Sequence, residues 1–188
     1  MNAHGELVAI LGDACSMFSK NRIPDPLKAL LEKRRFHHML VTGNMGTGDS
    51  LAYLQTVCDD IHMISGLLDS NSETPFQKTI SIAGYTILLL NGAASMVGIS
   101  DMLLLSSAKI NHADICVYGN TFDASVQSKD GILFVNPGSV SGAFHPYHPD
   151  NKPSFVLLSL KEKEVEVFVY QVCDEKLEVA KGSFKRNE

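Results

Sequence analysis

Short apolar runs that each end in glycine beside a small polar residue recur along the first two-thirds of the chain, and this ordered series constrains the fold more than any other feature. Leu7 to Leu11 runs into Gly12-Asp13, and Met39 to Val41 into Thr42-Gly43-Asn44. His62 to Ile64 leads to Ser65-Gly66, Thr86 to Leu90 to Asn91-Gly92, and a later run to Tyr118-Gly119-Asn120. Ile132 to Val135 ends at Asn136-Pro137-Gly138-Ser139. Runs of this length, bounded in this way, read as buried strands. Helical patterns alternate with them. Pro24 and Pro26 open one that carries Leu27, Leu30 and Leu31 on a single stripe. Asp49 or Ser50 caps a second through Leu51, Leu54, Val57 and Cys58, and Ser100 or Asp101 a third through Met102, Leu105 and Ala108. Thr79 to Ala83 adds a strand before a turn at Gly84. The alternation predicts an α/β fold, in which ligands sit outside the carboxyl ends of the strands. Any one of these loops is explained by the ease with which Gly and Asn turn a chain. An ordered series of them converging on one edge describes a site.

The last third reads differently. Ser154 to Leu160 and Val165 to Val172 are strong antiparallel strands joined at Lys161–Glu164, with a weaker strand near Leu177 to Val179. A strand with one face in a core alternates. Here Val165, Val167 and Val169 share one face, yet Phe168 and Tyr170 occupy the other. Val156, Leu158 and Leu160 likewise oppose Phe155 and Leu157. Both faces are therefore expected to be covered, by a second layer or by a partner. Residues 141–153, with three prolines and two histidines, form a long loop.

The 188 residues fit one domain spanning 1–188, which buries roughly 70% of its unfolded surface and needs neither disulfide nor structural metal to fold. A formal charge of −5 argues against nucleic-acid binding, and Lys33-Arg34-Arg35 reads as the last turn of a helix. Cys15, Cys58, Cys116 and Cys173 are far apart and form no CxxC pair, which fits a reducing cytosol. The start of the chain lacks the apolar core of a secretory signal, and nowhere is there a run of about 18 apolar residues, so membrane association is expected to be peripheral.

The order Gly12-Asp13-x-Cys15, Gly43-Asn44, Gly66-Leu67-x-Asp69, Asn91-Gly92-Ala93, Gly119-Asn120-Thr121-Phe122 and Asn136-Pro137-Gly138-Ser139 resembles the calcineurin-like metallophosphoesterases. Further likeness, carried by Val41-Thr42-Gly43-Asn44, Pro153-Ser154-Phe155-Val156-Leu157 and Val169-Tyr170-Gln171, narrows it to a branch that serves as the small subunit of the retromer coat. The resemblance implies a four-layer fold, with two mixed β-sheets packed face to face and flanked by helices. In that family the loops hold two metal ions through aspartates, asparagines and histidines. This chain keeps Asp13 and Asn44, but has Cys15, Leu67, Asn91, Ala93, Asn120 and Phe122 where the other ligands belong, and Leu68 where the catalytic histidine belongs.

Two divalent ions about 3.5–4 Å apart need several carboxylates and imidazoles, and amides bind hard cations usefully only beside carboxylates. The chain is therefore expected to have no cofactor, no metal at this site and no catalytic residue. Asp69 is a candidate substitute ligand, expected to be solvated. His145 and His148 have an HxxH spacing but are broken by Pro146 and Pro149, and His37, His38 and His62 lie at the opposite end of the sheet. The resemblance implies a non-catalytic scaffold in endosome-to-Golgi and recycling transport, cytoplasmic and peripheral on endosomes. Its degenerate cleft would meet the helical-solenoid subunit through Met96, Leu67 and Phe122. A hydrophobic patch of Leu7, Leu30, Leu157, Phe168, Tyr170 and Val179 would take Rab regulators and sorting nexins. The competing expectation is a residual metal-dependent phosphodiesterase with an atypical ligand set.

Overall fold

The computed structural model describes residues 5–15, 22–46, 48–69, 73–92, 100–146 and 148–186, and among these residues it has eleven strands and three helices. In chain order they are β1 (Glu6–Leu11), α1 (Asp25–Lys33), β2 (His38–Val41), α2 (Gly48–Val57), β3 (Ile61–Met63), β4 (Gln77–Ile82) and β5 (Tyr85–Leu90). There follow α3 (Ser100–Ile110), β6 (Ile115–Tyr118), β7 (Ala124–Lys129), β8 (Ile132–Pro137), β9 (Ser154–Leu160), β10 (Glu164–Cys173) and β11 (Lys176–Lys185). The first sheet has the order β11-β10-β9-β1-β2-β3 and the second β4-β5-β6-β8-β7. Strands β1, β2 and β3 run parallel, as do β5, β6 and β8, while β9, β10 and β11 in the first sheet and β4 and β7 in the second join by antiparallel pairing. Both sheets are mixed, as expected.

Alternation along the strands builds the layers. Val8, Ile10, Leu40, Val156, Leu158, Val165 and Val167 meet Ile87, Leu89, Val117 and Val135 in the core between the sheets. The opposite face of the first sheet, with Leu11, Val41, Phe155, Leu157 and Tyr170, is covered by Leu27 and Leu31 of α1 and Leu54 of α2. Leu104 and Ala108 of α3 cover Leu88, Cys116 and Phe134 on the outside of the second sheet. Each fully buried Leu or Phe stabilises the fold by about 1.5–3 kcal/mol, so four layers supply a large core. No helix among the described residues is long and apolar enough to cross a membrane.

Three expectations need correction. In α3 the buried stripe is Leu104 and Ala108 with Leu105 half-covered; Met102 is 77% exposed. Strand β11 extends over ten residues, far beyond Leu177 to Val179, because its ladder to β10 runs from Lys176 to Lys185. The third is an omission. β7 carries one strongly apolar residue, Val126, and its exposed face hides it from a hydrophobicity scan. The signal lay in the following Asp130-Gly131, both in left-handed backbone (φ 51° and 76°), the two-residue loop that pairs β7 with β8. Ala83-Gly84 makes the corresponding loop between β4 and β5.

Candidate functional site

The carboxyl ends of β1, β2, β3, β5, β6 and β8 deliver the predicted loops to one edge. There the backbone is unusual. Asp13, Cys15, Asn44, Asn120 and Phe122 all hold left-handed φ, at 52°, 47°, 55°, 71° and 64°. Non-glycine residues take this conformation at a cost of order 1 kcal/mol or more, and keep it only where the surroundings over-determine it. Gly43, at φ 91°, is glycine for a further reason: a Cβ there would run into the backbone of Gly66, so the β2 and β3 loops touch main chain to main chain.

Asp13 sits at the centre, completely buried. Its Oδ1 accepts from the Asn44 side-chain amide at 2.8 Å, and its Oδ2 from the backbone N–H of Asn120 at 2.8 Å. The backbone of Phe122 gives a further hydrogen bond. Burial nevertheless outweighs these donors and raises the carboxyl to about 7. The Asn44 amide is fully used: Nδ2 donates also to Asn120 Oδ1 at 2.9 Å, and Oδ1 accepts from Leu68 N–H at 3.0 Å. Burial, reinforced by the charges of Asp13 and Asp69, pushes the Cys15 thiol up to about 12, so it stays protonated. Asn91 Nδ2 donates to the Thr42 carbonyl at 3.3 Å.

These residues do not fit a metal pair. Binding would require freeing the buried Asp13 carboxyl from its N–H donors and reversing the Asn44 amide. The remaining positions supply the amides of Asn91 and Asn120, a neutral thiol and apolar side chains. Phe122 is only 6% exposed, clusters with Cys15 and Ala143, and stacks on the His145 ring at 4.8 Å between centroids. It thus forms the floor of the cleft and presents no contact surface of its own, which corrects its expected place in an interface. Leu67 is 61% exposed at the rim. Ala93 and Met96 lie outside the described residues.

Two features escaped the sequence. Asp69 is a loop organiser, where solvation was expected: its Oδ2 accepts from Asn44 N–H at 2.7 Å and Gly66 N–H at 2.8 Å, and its Oδ1 from Gly46 N–H at 3.0 Å. Ser139, from the Asn-Pro-Gly-Ser loop, donates through Oγ to the Asp13 carbonyl at 2.6 Å and accepts from Ala143 N–H at 2.8 Å. That hydroxyl ties the 141–153 loop to the first loop. His145 and His148 bridge one another within it, with rings 5.9 Å apart.

The second expected surface also divides. Leu157 is 1% exposed and Tyr170 is buried, stacked on Phe155 at 5.0 Å, because α1 lies across this face. Leu7, Leu30 and Phe168 are half-buried around them, and Val179 on the edge strand is 57% exposed. Of the residues expected to form a patch, Leu157 and Tyr170 are therefore core, and Leu7, Leu30, Phe168 and Val179 are the more exposed ones.

Loops gathered at the carboxyl edge of a two-sheet sandwich, with Asp13 and Asn44 at their centre, define the class. The chain belongs to the calcineurin-like phosphoesterase superfamily, whose domain signature matches residues 7–163. Within it the chain is similar to Vps29. It is 28% identical over 186 residues to vacuolar protein sorting-associated protein 29 of Schizosaccharomyces pombe, covering 97% of this chain and 100% of that protein. Vacuolar protein sorting 29 from Cryptosporidium parvum shares its fold with a TM-score of 0.90 at 28% identity, over 97% of this chain and 100% of that one. Wild-type Vps29 of Entamoeba histolytica, solved in complex with Zn²⁺, matches at a TM-score of 0.86 and 25% identity, over 95% of this chain and 99% of that one.

Proposed function

We propose that this chain is a non-catalytic, protein-binding subunit of the retromer coat, acting in vacuolar protein sorting and endosome-to-Golgi transport from the cytoplasmic side of endosomes. The observation that carries this reading is the state of Asp13: the one carboxylate kept from the first two ligand loops is buried, hydrogen-bonded through both oxygens and raised to about 7. We read a group in that state as an organiser of the surrounding loops, which it joins through its hydrogen bonds to Asn44 and Asn120. Resemblance to Vps29 supports the sorting role.

Two separate surfaces do the binding. The cleft rim, with Leu67 and Met96, takes the helical-solenoid subunit, and the face of Leu7, Leu30, Phe168 and Val179 takes Rab regulators and sorting nexins. Co-purification with the solenoid subunit tests this. Leu67→Asp and Met96→Asp are expected to reduce recovery at least tenfold, while Phe168→Asp leaves it within twofold. Equal loss in all three variants would reject two surfaces. The Zn²⁺ complex of the Entamoeba protein motivates the competing phosphodiesterase reading. It requires turnover of bis-p-nitrophenyl phosphate with Zn²⁺ or Mn²⁺ that disappears in Asp13→Ala. No turnover above buffer is expected in either form.

A further inference from the structure

At the other end of the first sheet, His38 opens β2, His62 lies within β3, Asp60 immediately precedes β3, and Glu6 opens β1. Parity sets their direction. Glu6, His38 and His62 each lie two residues before a member of the inter-sheet core, namely Val8, Leu40 and Ile64. Three adjacent parallel strands thus aim two imidazoles and a carboxylate at one rim of the sandwich. Lys78 of β4, two residues before Ile80, faces the same rim from the opposing sheet. Six strand residues at about 3.3 Å each separate this rim from the degenerate cleft by roughly 20 Å, so the two are distinct.

The polar atoms converge closely. Asp60 Oδ2 is 2.5 Å from His38 Nδ1 and 3.3 Å from His62 Nε2, so two rings share one carboxylate oxygen. All three donor atoms lie within 4.8 Å of one another, the one such His/Cys/Asp/Glu group among the described residues. Ligands at about 2.0–2.1 Å from a tetrahedral Zn²⁺ are roughly 3.3 Å apart. The Asp60–His62 separation already has that value, and the His38–Asp60 pair needs only to open by less than about 1 Å. The support behind the ligands is also present. A metal-binding imidazole typically donates its other N–H to a carboxylate, and His38 Nε2 faces Glu6 Oε2 at 2.8 Å. The backbone holds Asp60 in place, its carbonyl accepting from Met39 N–H at 2.9 Å and from the Cys58 thiol at 3.4 Å. Side-chain exposures of 22% for both histidines and 47% for Asp60 leave an entry path.

One neighbour opposes loading. Lys78 Nζ lies 3.3 Å from His62 Nδ1, where it donates to the ring and places a positive charge beside the site. An ion bound through Nε2 leaves Nδ1 as an N–H, so Lys78 must swing away.

We propose that His38, Asp60 and His62, backed by Glu6 and opposed by Lys78, form an exchangeable binding site for a divalent transition-metal ion of the Zn²⁺ class. Two imidazoles and one carboxylate suit Zn²⁺ and its neighbours over Mg²⁺ or Ca²⁺, and three protein ligands leave the fourth position to water. The ion would clip the amino ends of β2 and β3 together. This inference is independent of the retromer reading, because its residues belong to neither proposed protein-binding surface.

The test is calorimetric titration of the chelator-stripped full chain with ZnCl₂, with Co²⁺ absorption as a second readout. One equivalent is expected to bind, with affinity unchanged in Asp13→Asn and Cys15→Ser. Asp60→Asn and His62→Gln are expected to weaken it at least tenfold, and Glu6→Gln by about tenfold, as loss of an orienting carboxylate does. Lys78→Ala is expected to tighten binding several-fold, a gain that misfolding cannot produce. Absence of binding in the wild type up to 1 mM would overturn the site. So would binding that is lost in Asp13→Asn and retained in His62→Gln, or a Lys78→Ala variant that binds no tighter.

Discussion

Replacing Asp13 by asparagine converts the state of the cleft into a measurable pH dependence. In the unfolded chain this carboxyl has its ordinary value of 3.8, and in the fold burial raises it to about 7. Between those values the folded protein holds a proton that the unfolded chain releases. Stability is therefore greatest below pH 4 as far as Asp13 is concerned, and is lost as pH rises toward 7. About three pH units at roughly 1.4 kcal/mol per unit makes a ceiling of about 4 kcal/mol. The asparagine side chain of the variant does not titrate. Its NH₂ must face either the Asn44 amide or the backbone N–H of Asn120, which leaves one buried donor without an acceptor, at about 1–3 kcal/mol at every pH. The variant is thus expected to be the less stable form at pH 4.5. The gap then narrows with a slope approaching 1.4 kcal/mol per pH unit, and closes or reverses by about pH 7.5. Urea unfolding of both proteins across pH 4.5–8.5 measures this, and their difference cancels every other titrating group. A gap that stays constant would refute the buried, protonated state. A gap that widens with pH would mean a carboxyl held below its ordinary value, as a metal ligand or ion pair is.

Other substitutions probe the same edge and its support. Asp69→Ala removes the acceptor of three backbone N–H groups and is expected to cost about 2–4 kcal/mol, with faster amide exchange at Asn44, Gly46 and Gly66 than elsewhere in the sheet. Gly43→Ala forces a side chain into left-handed backbone against Gly66, and a loss of about 3 kcal/mol or of soluble expression is expected. Leu157→Ala empties a fully enclosed position in the helix-covered core and is expected to cost about 2–5 kcal/mol in chemical denaturation. Leu157→Glu is expected to prevent folding altogether, so Leu30→Glu and Phe168→Asp are the informative probes of partner binding.

Side-chain identity alone decided much about this molecule. Alternation at Val165–Tyr170 and Val156–Leu160 assigned each residue to its correct layer, because the two-residue period of a strand leaves no freedom once one face is buried. That Leu67 and Phe122 bring no side-chain lone pair to a cation is legible from their identity alone, wherever the chain places them. Edge strands were legible only weakly: β7 and β11 are held by ladders and two-residue turns more than by apolar burial, and Lys, Ser and Glu pair as well at an edge as valine does. Three matters were decided by tertiary structure alone. The first is that Asp13 is buried and saturated by donors from loops reached after 31 and 107 residues. The second is that α1 lies over Leu157 and Tyr170, which divides a supposed surface into core and rim. The third is that His38 and Asp60, 22 residues apart, meet at hydrogen-bonding distance. In each case the quantity at issue is a distance between segments remote in sequence. Local patterns carry no such distance, because it is set only when parallel strands fall into register and the sheets close on one another.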